Sequence, residues 1–113
     1  MNPLDVPEVE AATTYKKWRR GEVALLDVRE KEEWDLGHID GSEFIPLGEL
    51  HMRRTELDRA KKWVCVCHIG ARSYYAAALL RQFGYDAASL EGGMVAWQAN
   101  GLPITEPGII GSP

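Results

Sequence analysis

The 113-residue chain has few cysteines, no surplus of basic charge and no long apolar run, and each shortage removes a class of protein. Two cysteines cannot build the disulfide framework of a small secreted domain, and a chain of this length can stand on one hydrophobic core without such staples. The 13 Lys and Arg are outnumbered by 17 Asp and Glu, for a formal net charge of -4. Phosphate binding is driven by clustered cations, so no nucleic-acid partner is expected. The one basic cluster, Lys16, Lys17, Arg19 and Arg20 around Trp18, reads as a solvated helix face near a C-terminus, where cations suit the helix dipole. No apolar run approaches the ~20 residues of a membrane span, so no membrane partner is expected. The opening "MNPLDVPEVE" has neither the basic nor the apolar region of an export signal, and with two cysteines the expectation is a reducing, cytoplasmic setting.

What is present is an alternation of helical and strand patterns without internal repeats. A helix is expected from near Pro7 to about Arg20, with Val9, Ala12, Tyr15 and Trp18 inward and Gly21 as its stop. The apolar run "VALLDV", 23 to 28, reads as a strand covered on both faces, "REKEEWDL" as a short helix ended by Gly37, and "SEFIP" as a second strand. Near-helical spacing covers 47 to 60, although Gly48 weakens it. "KWVCVC", 62 to 67, is the strongest strand, and "SYYAAALLRQF", 73 to 83, the strongest helix. "YDAASL" adds a strand and "GGMVAWQAN" a turn with a short helix. This order predicts one α/β domain over 1–104, with a mainly parallel central sheet flanked by helices on both faces, and a Pro/Gly-rich tail over 105–113.

Both cysteines fall in "VCVCHIGARS", residues 64 to 73. Residues i and i+2 of a strand point the same way and stand roughly 6.5 to 7 Å apart. A disulfide needs Cβ atoms at about 4 Å, so no bridge between Cys65 and Cys67 is expected. A structural zinc site uses four ligands in two clips, and a second clip is missing here, so no metal is expected. Cys65, inside the strand, reads as a small buried hydrophobe. Cys67 is different. It lies at the carboxyl end of a strand in an α/β sheet, where ligands bind, followed by Gly70 and a helix N-terminus near Ser73. Such a turn can aim backbone N–H groups and the positive end of the helix dipole at one point, and with Arg72 nearby both should favour the thiolate. The pattern describes a cysteine nucleophile in an anion cradle. Cysteine phosphatases use such a cradle with five residues between Cys and Arg; four separate Cys67 from Arg72, a smaller ring that suits one sulfur atom better than a phosphoryl group.

Four segments in order then carry a family resemblance: D-V-R-E at 27 to 30, G-H-I-x-G-S at 37 to 42, C-x-x-G-x-R-S at 67 to 73, and G-G-M-x-A-W at 92 to 97. With their spacing, they make the chain similar to single-domain rhodaneses, which are sulfurtransferases. The resemblance implies that Cys67 carries a persulfide and that His68, Ile69, Gly70, Ala71, Arg72 and Ser73 line the cradle through their backbone amides. It implies no cofactor, since the sulfur is carried covalently. The expected partners are a small-molecule sulfur donor or protein persulfide and a thiol or cyanide acceptor. Arg29 corresponds to an arginine near the active loop that can meet an anionic donor, with a structural ion pair to a neighbouring acid as its other reading. Asp27 and His38 read as structural, Gly92 and Gly93 as a tight turn, and Trp97 as packing beside the loop. One departure is Ile69: thiosulfate-using relatives often place a cation in mid-loop, which leaves a persulfide as a competing donor. Two further readings stay open, a rhodanese-like binding module without turnover and a phosphatase or arsenate reductase on a related scaffold.

Overall fold

The computed structural model describes residues 5–105. Its strands are β1 (Glu8–Val9), β2 (Ala24–Asp27), β3 (Glu43–Phe44), β4 (Lys62–Val66) and β5 (Asp86–Leu90). Its helices are α1 (Ala11–Arg19), α2 (Lys31–Asp35), α3 (Leu47–Arg53), α4 (Ala71–Gln82) and α5 (Gly93–Ala99), with a 3-10 turn over Arg54–Glu56. The strands form one sheet in the order β1-β5-β4-β2-β3, and each neighbouring pair is parallel. Parallel strands need crossovers, and the helices between them serve as those connections.

Alternation along the central strands divides the core in two. Leu25, Val64 and Val66 join Ala11, Leu90, Met94 and Trp97 on the α1/α5 side. Leu26, Val28, Trp63, Cys65 and Cys67 join Leu50, Ala76, Ala77 and Leu80 on the α3/α4 side. The period of two places both cysteines on the same side, toward α4.

Three expectations are corrected. The first helix begins at Ala11, and the residues before it form β1, whose backbone joins the edge of the sheet: the Ser89 and Glu91 amides donate to the Pro7 and Val9 carbonyls at 2.9 Å each. A proline is tolerated there because an edge strand has one side without ladder bonds. Helix α1 buries Ala11 and Thr14, while Ala12 is exposed. The helical stretch expected to reach residue 60 ends at Arg53 and tightens into the 3-10 turn, and Met52 is exposed. Finally, α4 starts at Ala71, two residues before Ser73, which brings its first turn directly onto the loop after Cys67. The expected tail lies largely outside the described residues. Thr105 at its start is hydrogen-bonded to His38 in both directions, its amide donating to the His38 carbonyl at 2.7 Å and its hydroxyl accepting from the His38 amide at 3.2 Å.

Candidate active site

The chain leaves β4 at Val66, and Cys67 is the first residue beyond it. Its side chain keeps the strand's parity and ends beneath the N-terminus of α4, where the first helical amides lack intrahelical acceptors. Between Cys67 and the helix lie only His68, Ile69 and Gly70. Gly70 makes the short link possible: it caps α4 at φ +113, a conformation that a side chain would strain.

The orientation of this loop is fixed from outside. The carbonyls of Cys67 and His68 accept hydrogen bonds from the Met94 amide at 2.8 Å and the Val95 amide at 3.1 Å, both in the first turn of α5. Because C=O and N–H of a trans peptide point in opposite directions, the amides of His68 and Ile69 are turned away from α5. Gly93 permits this approach, since a Cβ there would press on the carbonyl oxygens of Cys67 and His68. On the inner side, the Gly70 amide donates to Cys67 Sγ at 3.1 Å, and the thiol reaches Ser73 Oγ at 3.4 Å. Ser73 Oγ also lies 3.2 Å from the Gly70 carbonyl and 2.7 Å from Ser89 Oγ. Three buried groups, Cys67, Ser73 and Ser89, therefore form one polar chain within an apolar core.

Both candidate arginines are held by carboxylates. Arg29 follows β2 and is buried: Nε and Nη2 bind both Asp27 oxygens at 2.8 to 3.0 Å, and Nη2 also donates to the Gly37 carbonyl at 2.8 Å. Asp27 pairs in register with Val66, so this ion pair lies at the end of the strand beside the one that leads to Cys67. Arg72 closes the loop and extends outward to Glu33 of α2, with Nη1–Oε1 at 2.6 Å and Nη2–Oε2 at 2.9 Å. The hydrogen bonds from Arg72 hold the Glu33 carboxyl down to about 2 and raise the guanidinium correspondingly. Ile69 stands at the top of the loop with 64% of its surface exposed. Cys65, one turn of the pleat below, is enclosed by apolar side chains, and burial pushes its thiol up to about 12, with the charge of Cys67 adding to the effect.

A family model described as a rhodanese-like domain matches residues 10–100. The chain belongs to that family. It is 38% identical over 87 residues to a sulfurtransferase of Allochromatium vinosum, an alignment covering 76% of this chain and 81% of that protein. It is 32% identical over 101 residues to the putative sulfurtransferase YtwF of Bacillus subtilis, covering 88% and 98%. Among solved structures, a rhodanese-related protein from Thermoplasma volcanium superposes with a TM-score of 0.83 at 34% identity, over 88% of this chain and 97% of that one. These relatives support a sulfurtransferase-type role.

In this rhodanese domain the loop residues Cys67 through Ser73 do unlike things, and Arg29, also expected at the site, is closed on Asp27. The backbone of Gly70 and the hydroxyl of Ser73 touch the sulfur, whereas the Arg72 side chain points to α2. His38 stacks on Trp34 at 3.5 Å between centroids, and its Nδ1 lies 3.0 Å from the Trp34 carbonyl. Trp97 is fully buried and donates to the Pro103 carbonyl at 2.9 Å. Two residues carry no local signal in the sequence. Ser89 sits in register with Cys65 on the adjacent strand, and Glu33 is 39 residues from its partner. Neither relation is visible before the sheet order is known.

Proposed function

We propose that this domain moves a sulfane sulfur from a donor to a thiophilic acceptor through a persulfide on Cys67. The observation that carries the reading is the position of the Cys67 sulfur at the N-terminus of α4, with the Gly70 amide at 3.1 Å and the Ser73 hydroxyl at 3.4 Å. The Gly70 amide and the helix N-terminus stabilise negative charge on sulfur, and the Ser73 hydroxyl accepts the thiol hydrogen bond. In the first half-reaction the Cys67 thiolate attacks the outer sulfur of the donor and forms a new S–S bond. The donor's own S–S bond breaks, and its electron pair leaves with a thiolate, or with sulfite when thiosulfate is the donor. In the second, the acceptor attacks the outer sulfur, and the electron pair of the broken bond returns to Cys67 Sγ. This sequence gives ping-pong kinetics. The preferred donor is a persulfide on a small thiol or a protein: Ile69 puts an apolar side chain in mid-loop, and both guanidiniums at the site are matched by carboxylates.

The test is intact-mass measurement after incubation with a persulfide donor or thiosulfate. One added sulfur, removed by cyanide or excess thiol, is the expected result. Absence of any gain with every donor would move the domain to the class of binding modules.

A further inference from the structure

The carboxylate of Glu33 is held from two directions. Its Oε1 accepts the Glu30 amide at 3.0 Å, completing the capping box that starts α2, and the same carboxylate receives both Nη atoms of Arg72. It is therefore a fixed countercharge, placed by the helix that carries it and by the arginine that closes the cradle. The pair is partly exposed, with side-chain exposures of 36% for Arg72 and 33% for Glu33. Arg72 feels the charge of Cys67, and also that of Glu30. Arg29 contributes no uncompensated cation, being closed on Asp27 with exposures of 7% and 2%. Each of the two arginines is thus matched by a carboxylate, so the positive contribution expected from the side chain that closes C-x-x-G-x-R is offset, and what remains positive at the loop is its backbone.

We infer that Glu33 is a specificity-determining residue: by clamping Arg72 it discriminates against doubly charged sulfur donors in favour of singly charged or neutral ones. The inference rests on the sulfurtransferase reading. Thiosulfate and methanethiosulfonate test it, because both offer an outer sulfane sulfur on a sulfonyl group and differ mainly in charge. Initial rates with each donor, and cyanide as acceptor in both cases, give the ratio of kcat/KM for the dianion to that for the monoanion. In Glu33→Gln the amide oxygen can still accept the Glu30 amide, so the capping box survives while the countercharge is gone. The ratio should rise about fivefold at low salt, and the gain should shrink on adding salt to roughly 0.5 M. Arg72→Gln exposes the Glu33 charge and should move the ratio the other way by a similar factor. It decides the matter if Glu33→Gln fails to fold. A ratio that stays within about twofold of the parent in both variants, or that moves with the opposite signs, overturns the inference. If the parent protein takes sulfur from neither donor, the sulfurtransferase reading itself fails, a separate outcome.

Discussion

The two thiols occupy neighbouring regions, one in the interior of β4 and one just past its end, and solvent hardly distinguishes them: Cys65 is 0% exposed and Cys67 1%. Both face α4. What separates them is what the adjacent backbone offers. Inside the strand the amides are committed to the ladder and the thiol meets apolar side chains, so burial opposes its ionisation. Past the strand the chain turns, an amide and a hydroxyl become available, and an equally buried sulfur has polar partners. Burial alone therefore does not tell a core cysteine from a nucleophile. The end of the ladder does.

The largest expected effect tests that division directly. Cys67→Ser should abolish the gain of sulfur and lower kcat/KM by on the order of a thousandfold or more, since the group that forms the covalent bond is gone. Cys65→Ser should still load one sulfur, while losing about 1 to 3 kcal/mol of stability to a hydroxyl buried among apolar neighbours. Intact mass and denaturant titration measure the two separately. A folded Cys65→Ser protein that cannot be loaded would break the comparison.

Next in size is the outer support of the loop. Gly93 takes φ +55, and a methyl group there meets the carbonyl oxygens of Cys67 and His68. Gly93→Ala should cost about 3 kcal/mol through the strained backbone and the displaced contacts, and should slow loading of Cys67 by turning the loop amides. Calorimetry and loading rates should fall together. An unchanged melting temperature would show that α5 does not set the loop.

These two sites also mark how far the sequence is readable. The central strands and α4 were legible because each is a local pattern: a continuous apolar run, or an alanine-rich segment stopped by glycine. The loop from Cys67 to Ser73 was legible as a motif. Strand β1 was not, because two residues carry no periodicity and Pro7 fits a helix start as well as a sheet edge. The close approach at Gly93 shows in the sequence only as a turn, since the contact is with a segment more than 20 residues away. The same limit hid Ser89, an unremarkable serine in a strand until β5 is set beside β4, and the sequence also hid which acid Arg29 pairs with, Asp27 two residues before it.

Ser89 gives a smaller effect that sharpens the picture around Cys67. Its hydroxyl, fully buried and 2.7 Å from Ser73 Oγ, helps to fix the hydroxyl that accepts from the Cys67 thiol and donates to the Gly70 carbonyl. Ser89→Ala should slow loading of Cys67 about fivefold, the order of one neutral hydrogen bond, and Ser73→Ala should slow it more. Single-turnover loading followed by mass is the measurement. Equal rates in Ser89→Ala and the parent would confine the polar chain to Cys67 and Ser73.

The smallest effect concerns the tie between α2 and α4, which reaches the loop region and has no counterpart at Cys65. The hydrogen bonds from Arg72 hold Glu33 down to about 2, below its ordinary value of 4.5. A carboxylate depressed on folding stabilises the native state above its unfolded value, and that contribution disappears as pH falls through the folded one. At this partly exposed rim, solvent screening leaves about 1 kcal/mol at neutral pH. The parent should therefore be more stable than Glu33→Gln by that amount at pH 7, and the difference should close between about pH 4.5 and 2. Chemical denaturation of both proteins across this window reads it. A gap that stays undiminished from pH 7 down to pH 2 would mean that the glutamate acts through packing, and that its charge adds nothing to the anchoring of the cradle.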